Sequence, residues 1–218
     1  MNKIVIFDLD GTLLDTLGDL CDAVNFALDK VNRPRRTLDE VKGFVGNGTR
    51  KLIERSLGEF ENEELVDECV RNFTEFYKHN YSVKTVAYDG ICDCVDRLLA
   101  QGVRCGVVTN KLHDISVDLC ARFFPGRFAE VVGDTPDLPR KPDPTKVFDV
   151  IKRLGGGKAV FVGDSWVDVK TAKNAGIDGV MLSWGFNSRE TLAREGADCI
   201  VDNAQHLFDK VIEKLNDK

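Results

Sequence analysis

No stretch of this sequence approaches the roughly 20 consecutive apolar residues needed to cross a bilayer. Only Met1, Asn2 and Lys3 precede the first apolar run, which is too short for a signal-peptide core. The reading is a soluble, cytoplasmic protein without a membrane partner. An excess of positive charge is missing as well. Lys and Arg number 30 against 36 Asp and Glu, a formal net charge of -6, which removes the basic footprint of a nucleic-acid binder. A small anionic substrate is not excluded, because a local metal or lysine can reverse the sign of a site. Histidine is scarce, with three residues far apart in the chain. The seven cysteines are scattered and odd in number, which argues against a disulfide framework and for a reducing compartment. Cys92 and Cys94 form one close pair, but no second pair or histidine cluster completes a zinc site, and they read as packing residues. Internal repeats and low-complexity segments are absent.

What is present is an ordinary globular balance, 43% hydrophobic and 30% charged. The length of 218 residues suits one domain, or a core carrying a smaller insertion. The chain opens IVIFDLDGTLLD, four large apolar residues that run straight into two acids. Similar β-branched runs recur at 103–109, 159–162 and 179–182, with shorter ones at 130–132 and 199–201. Such unbroken runs suit strands buried on both faces of a parallel sheet. Helical periodicity fills the intervals at 91–100, 113–124, 145–154, 167–175 and 189–195. The alternation predicts an α/β, doubly wound parallel-sheet core of Rossmann type. Residues 15–84 break it with helical periodicity alone. Leu17, Leu20, Cys21, Val24 and Leu28 make one stripe, and Leu65, Cys69, Phe73, Phe76 and Tyr77 another. The expected domains are therefore an α/β core of 1–14 with 85–218 and a helical insert of 15–84.

Ligand sites of open α/β sheets lie beyond the carboxyl ends of the strands. The polar residues there are Asp8 and Asp10, Thr109 and Asn110, then Asp164, Ser165 and Asp168, with Lys141 in the intervening loop RKPDP. Several carboxylates, a hydroxyl and a lysine match a hard, oxygen-ligated cation such as Mg²⁺ together with a phosphoryl group. Taken singly, each has a plain structural alternative: a turn at Asp-Gly, a helix cap at Asp164, a first-turn helix acid at Asp168, an exposed loop charge at Lys141. Asp15, Asp143 and Asp178 keep that plain reading.

DLDGT after a first strand, then VVTN, RKPDP and GDSWVD in this order, resemble the four motifs of the haloacid dehalogenase-like hydrolase superfamily, and the insert resembles its small helical cap. The resemblance spans essentially the whole chain. It implies that Asp8 is a nucleophile forming an aspartyl-phosphate and that Asp10 serves as general acid, then as general base. Thr109 and the Asn110 amide would hold a phosphoryl oxygen, Lys141 would neutralise Asp8 and the transferring group, and Gly11 and Thr12 would shape the turn beside the substrate. Mg²⁺ would be held by Asp8, the Asp10 carbonyl and Asp164, with Asp168 supporting that shell.

The stretch GFVGNGTRKLI (43–53) and the portion LSWGFNSRETLAREGADCIVDNAQHL resemble phosphoglycolate phosphatases, although Gly18 stands where relatives have proline. Gly48 and Arg50, at a helix start where backbone amides are open to an anion, would bind the substrate's carboxylate. The alternative for Arg50 and Lys51 is a solvated cationic face. The expected function is a Mg²⁺-dependent phosphomonoester hydrolase acting on a small phosphorylated metabolite, 2-phosphoglycolate as the resemblance implies, as a monomer or homodimer. The alternatives are a phosphatase of another sugar or metabolite phosphate, a β-phosphoglucomutase-like phosphotransferase, and a non-catalytic binding protein on the same fold.

Overall fold

A computed structural model describes residues 2–58 and 62–217. In chain order the elements are β1 (Lys3–Phe7), β2 (Leu14–Asp15), α1 (Leu17–Lys30), α2 (Leu38–Phe44), α3 (Thr49–Leu57), α4 (Glu63–Asn80), β3 (Val86–Ala87) and α5 (Ile91–Ala100). They continue as β4 (Arg104–Leu112), α6 (His113–Phe123), β5 (Glu130–Asp134), α7 (Thr145–Arg153), β6 (Lys158–Gly163), α8 (Trp166–Ala175), β7 (Asp178–Leu182), α9 (Arg189–Arg194), β8 (Ile200–Val201) and α10 (Ala204–Asn216). Two compact units result, Met1–Leu14 with Ala87–Lys218, and Asp15–Val86. Among the described residues no helix is long and apolar enough to cross a membrane.

The first unit is a parallel sheet in the order β5-β4-β1-β6-β7-β8. Its middle strands are continuous apolar runs because neither face meets water. Along β1, Ile4 and Ile6 join Val147, Val150, Leu154 and Phe161 in one core cluster. Val5 and Phe7 point to the opposite face and are equally buried, with Phe7 edge-on to Phe128 at 5.9 Å. The Asp8 amide donates to the Val162 carbonyl at 2.9 Å, so the β1–β6 ladder continues one residue past the apolar run. That extra rung mounts the first acid on the most rigid part of the sheet.

The second unit is helical. The α1 stripe from Leu17 to Leu28 is buried as the periodicity predicts. On α4 the buried set is Val66, Cys69, Phe73 and Tyr77. Val66 takes the place expected of Leu65, and Phe76 lies at the margin, stacked on Phe26 at 4.5 Å. A one-residue rotation of the stripe is a small error for a 3.6-residue period. α1 runs through Gly18 without interruption, and a β-carbon there would sit 3.1 Å from the Lys84 side chain. Close packing on Lys84 thus accounts for a residue smaller than proline. The next residue, buried Asp19, accepts from the Lys84 and Thr85 amides and from the Thr85 hydroxyl at 2.7–3.1 Å, tying the returning segment to the start of α1.

Candidate active site

The carboxyl ends of β4, β1 and β6, adjacent in the sheet, bring the motif residues together. Asp8 is buried, and the Lys141 ammonium lies 2.8 Å from its Oδ1. The same ammonium lies 2.7 Å from Asp168 Oδ1. Lys141 is placed by Asn110, whose amide group locks its backbone reciprocally. Asn110 Nδ2 donates to the Lys141 carbonyl at 3.0 Å, and the Lys141 amide donates to Asn110 Oδ1 at 2.8 Å. The Asn110 side chain is therefore committed to the lysine loop.

Asp164 is almost wholly buried and held from two sides. Its Oδ1 accepts from the Thr12 hydroxyl at 2.8 Å, and its Oδ2 from the Phe186 amide at 2.7 Å. Thr12 is fully buried, and its side chain serves Asp164. Gly11, at φ +80°, would place a β-carbon 2.3 Å from Asp164 Oδ2. Gly185 would place one 2.3 Å from Asp164 Cβ. Only glycine fits on either side of this carboxylate. Asp168 takes four donors: besides Lys141 on Oδ1, its Oδ2 accepts from the Ser165 hydroxyl at 2.6 Å, the Ser165 amide at 3.0 Å and the Asp164 amide at 3.2 Å.

Carboxylate oxygens of Asp8, Asp164 and Asp168 lie within 4.8 Å of one another, all buried. Three acids against one ammonium leave negative charge in a site where water cannot screen it. Burial pushes Asp8 up to about 6, with Lys141 opposing and Asp168 reinforcing the shift. Burial, then Asp168 and Asp8, raise Asp164 well above the carboxylate range. For Lys141, burial favours the neutral amine, but Asp168 and Asp8 outweigh it and hold the ammonium above its ordinary value. Asp8 Oδ1 is buried with no aligned hydrogen-bond donor, and each Asp164 oxygen has spent one acceptor direction on the protein. Such all-oxygen donors fit a divalent cation of the Mg²⁺ type. Asp8 and Asp164 have acceptor capacity to give it, whereas Asp168 already takes four donors, three of them on Oδ2, and acts as a brace.

Two measurements test this arrangement. The native metal-free protein holds the Asp8 proton with a pKa of about 6 against an ordinary 3.8. Between those values the folded chain binds more protons than the unfolded one, so stability falls as pH rises through that window. Urea denaturation in EDTA is expected to show this decline, and millimolar Mg²⁺ to remove it. Gly185→Ala is expected to weaken Mg²⁺ binding by roughly 10- to 100-fold, as loss of a supporting contact does. Calorimetric titration with Mg²⁺ checks this, with the circular dichroism spectrum unchanged.

Four features lie outside the sequence reading. The buried Lys111 reaches Asp10, with Nζ 2.9 Å from Oδ1 and 3.3 Å from Oδ2. Lys146 is wholly buried on α7 and donates to the carbonyls of Thr109 (3.4 Å) and Gly133 (3.2 Å), bracing β4 against β5. Burial, above all, lowers its pKa. Gly185 and Phe186 hold Asp164 as described. The rule that polar residues beyond strand ends build the site, carried on to Lys111 and to the loop after β7, would have reached Lys111, Gly185 and Phe186. Lys146 gives no such signal.

Other nominated residues have structural duties. Asp15 accepts from the Leu17 amide, Asp143 from the Thr145 amide, and Asp178 pairs with Lys214. Gly48 caps α3 with φ 83°. Arg50, in the first turn of that helix, is paired with Glu54 at 3.3 Å, with Asp67 at 2.6 Å and with Glu63. Three carboxylates already compensate its charge and join α3 to α4, which argues against the expected docking of a substrate anion. Lys51 pairs with Glu54, while Arg55 donates to the Phe44 carbonyl and to Asn47 Oδ1. The neighbouring cations diverge instead of repelling.

The model of a family described as haloacid dehalogenase-like hydrolase matches residues 5–182. A phosphoglycolate phosphatase of Pseudomonas savastanoi pv. phaseolicola is 35% identical over 213 residues, covering 94% of this chain and 78% of that one. One from Psychrobacter arcticus is 32% identical over 222 residues, covering 97% and 96%. Among solved structures, a protein of Lactobacillus delbrueckii subsp. bulgaricus superposes with a TM-score of 0.93 at 30% identity over 100% of both chains. A predicted phosphoglycolate phosphatase of Haemophilus somnus gives 0.88 at 29% identity, covering 96% and 97%.

Proposed function

We infer the function from the premise that this chain belongs to the haloacid dehalogenase-like hydrolase family. It is a phosphatase, and 2-phosphoglycolate, hydrolysed to glycolate and phosphate, is the substrate we assign to it. The observation that carries the chemistry is Asp8, a buried carboxylate at a strand end, facing a buried ammonium and flanked by a second acid with a separate cation. The substrate assignment draws on the phosphoglycolate phosphatases that match along almost the whole chain.

Asp8 attacks phosphorus, forming an Oδ–P bond as the bond to the ester oxygen breaks. Asp10 gives its proton to that departing oxygen. Water then attacks the phospho-aspartate, and Asp10, now a carboxylate, takes a proton from it. Phosphate leaves and Asp8 is restored. Lys141 compensates charge on Asp8 and on the phosphoryl oxygens, against which carboxylate attack would otherwise be repelled. The Thr109 hydroxyl and the Asn110 amide bind a phosphoryl oxygen in this reading. Asp8, the Asp10 carbonyl and Asp164 would hold Mg²⁺, which when bound supplies the remaining positive charge for a phosphate dianion. Asp168 keeps Lys141 and the β6–α8 turn in place.

A panel of phosphorylated metabolites with Mg²⁺ tests the assignment. Phosphoglycolate is expected to give the highest kcat/KM. A sugar phosphate turned over faster, or isomerisation of a sugar phosphate dependent on glucose-1,6-bisphosphate, would overturn it.

A further inference from the structure

We propose that Lys111 is the positioning residue of the general acid–base: it fixes the orientation of the Asp10 carboxylate that serves the substrate's ester oxygen. The inference rests on the role given to Asp10 above and extends it to a residue outside the motifs.

The geometry begins with β4. Its pairing with β5 is regular from Gly106 to Val108, shifts, and resumes at Leu112. Thr109, Asn110 and Lys111 occupy this irregular stretch, and all three are buried. A register irregularity of this kind re-aims side chains at the rim of a sheet. Asn110 then reaches the Lys141 backbone and Lys111 reaches Asp10. The Lys111 side chain is 3% exposed and the Asp10 side chain 14%.

The Lys111 ammonium spans both carboxylate oxygens, at 2.9 and 3.3 Å. Contact with both restrains the plane of the carboxylate as well as its position. A single-point contact would leave the carboxyl group free to turn about its terminal torsion. Asp10 must be oriented twice, first to deliver a proton to the ester oxygen and then to take one from water. Misplacement of an acting group by about an ångström costs on the order of 100-fold in rate.

Lys111→Met keeps the length of the side chain and removes the contact. With phosphoglycolate, whose alkoxide leaves poorly, kcat/KM is expected to fall roughly 10- to 100-fold. With p-nitrophenyl phosphate, whose phenolate needs no proton, kcat/KM reports phospho-enzyme formation and is expected to fall about threefold or less. Its kcat falls further, because hydrolysis of the phospho-enzyme still needs the base. Lys111→Gln, able to donate to one oxygen, is expected to lie between wild type and Met. On an Asp10→Asn background, Lys111→Met is expected to have no further effect on phosphoglycolate turnover.

Equal losses on both esters, or losses that multiply with those of Asp10→Asn, would overturn the positioning role. A fall confined to KM for phosphoglycolate would also overturn it, in favour of a direct contact with the substrate carboxylate. Failure of the underlying reading is distinguishable, since Asp10→Asn alone would then keep wild-type turnover of phosphoglycolate. Thermal melts of all variants identify any loss due to unfolding. A collapsed Met variant leaves the Gln variant and its ester ratio as the deciding measurement.

Discussion

Asp8→Asn is expected to lower phosphoglycolate turnover by at least about 10⁴-fold, because the amide cannot form the phospho-enzyme and no other group takes its place. The protein should nonetheless stay folded, and in the absence of metal it should be at least as stable as wild type at pH 7. The second expectation follows from the direction of the Asp8 shift. Burial lifts this carboxyl to about 6, so at pH 7 the native state holds an ionised group that would prefer to be neutral. Substitution by Asn removes one of three crowded carboxylates and leaves Lys141 paired with Asp168. A variant that is inactive only because it unfolds would contradict this, and so would one retaining clearly more than about 0.01% of the activity.

Lys141→Met is expected to act on both stability and rate. The ammonium is 3% exposed and is the cation shared by Asp8 and Asp168. Removing one partner of a buried ion pair typically costs about 3–5 kcal/mol, because the other charge is left uncompensated. Here two acids are stranded and a third, Asp164, lies beside them. Turnover should fall by at least about 10³-fold, as positive charge is withdrawn from Asp8 and the transferring phosphoryl group. The stability loss should shrink at pH 5, where the raised carboxyls take up protons, and again when Mg²⁺ is added. Chemical denaturation at pH 5 and pH 7, with and without Mg²⁺, measures this. Equal losses under all four conditions would mean that Lys141 contributes packing and not charge compensation.

The sheet was readable because its physics is local. A strand buried on both faces must be apolar at consecutive positions, as Ile4 to Phe7 and Ala159 to Val162 are. The acids closing such runs mark the rim, and the structure brings Asp8, Asp164, Asp168 and Lys141 together there. Roles that depend on tertiary pairing were less accessible. Nothing near Arg50 in the sequence announces Glu63 and Asp67, which reach it only once α4 packs on α3. Nothing in the sequence distinguishes Asp168 from Asp164 as a metal carboxylate; the four donors on Asp168, Lys141 among them, come only with the fold. Lys111 stands one residue past Asn110, and nothing in the sequence announces its partner Asp10, 101 positions away, which it meets only in the folded sheet. Gly185 carries no chemical group, and its importance lies in the space it leaves for Asp164.

The central claim is that phosphate passes through Asp8. Wild-type enzyme mixed with phosphoglycolate and Mg²⁺, quenched within milliseconds and reduced with borohydride, should contain homoserine at position 8, the product of reducing an aspartyl-phosphate. Peptide mass spectrometry locates it, and homoserine should be absent without substrate and increased in Asp10→Asn given p-nitrophenyl phosphate, which forms the intermediate without the acid but whose phospho-enzyme is hydrolysed slowly. Rapid turnover with no homoserine at position 8 in either protein, or with homoserine at another aspartate, would contradict the account.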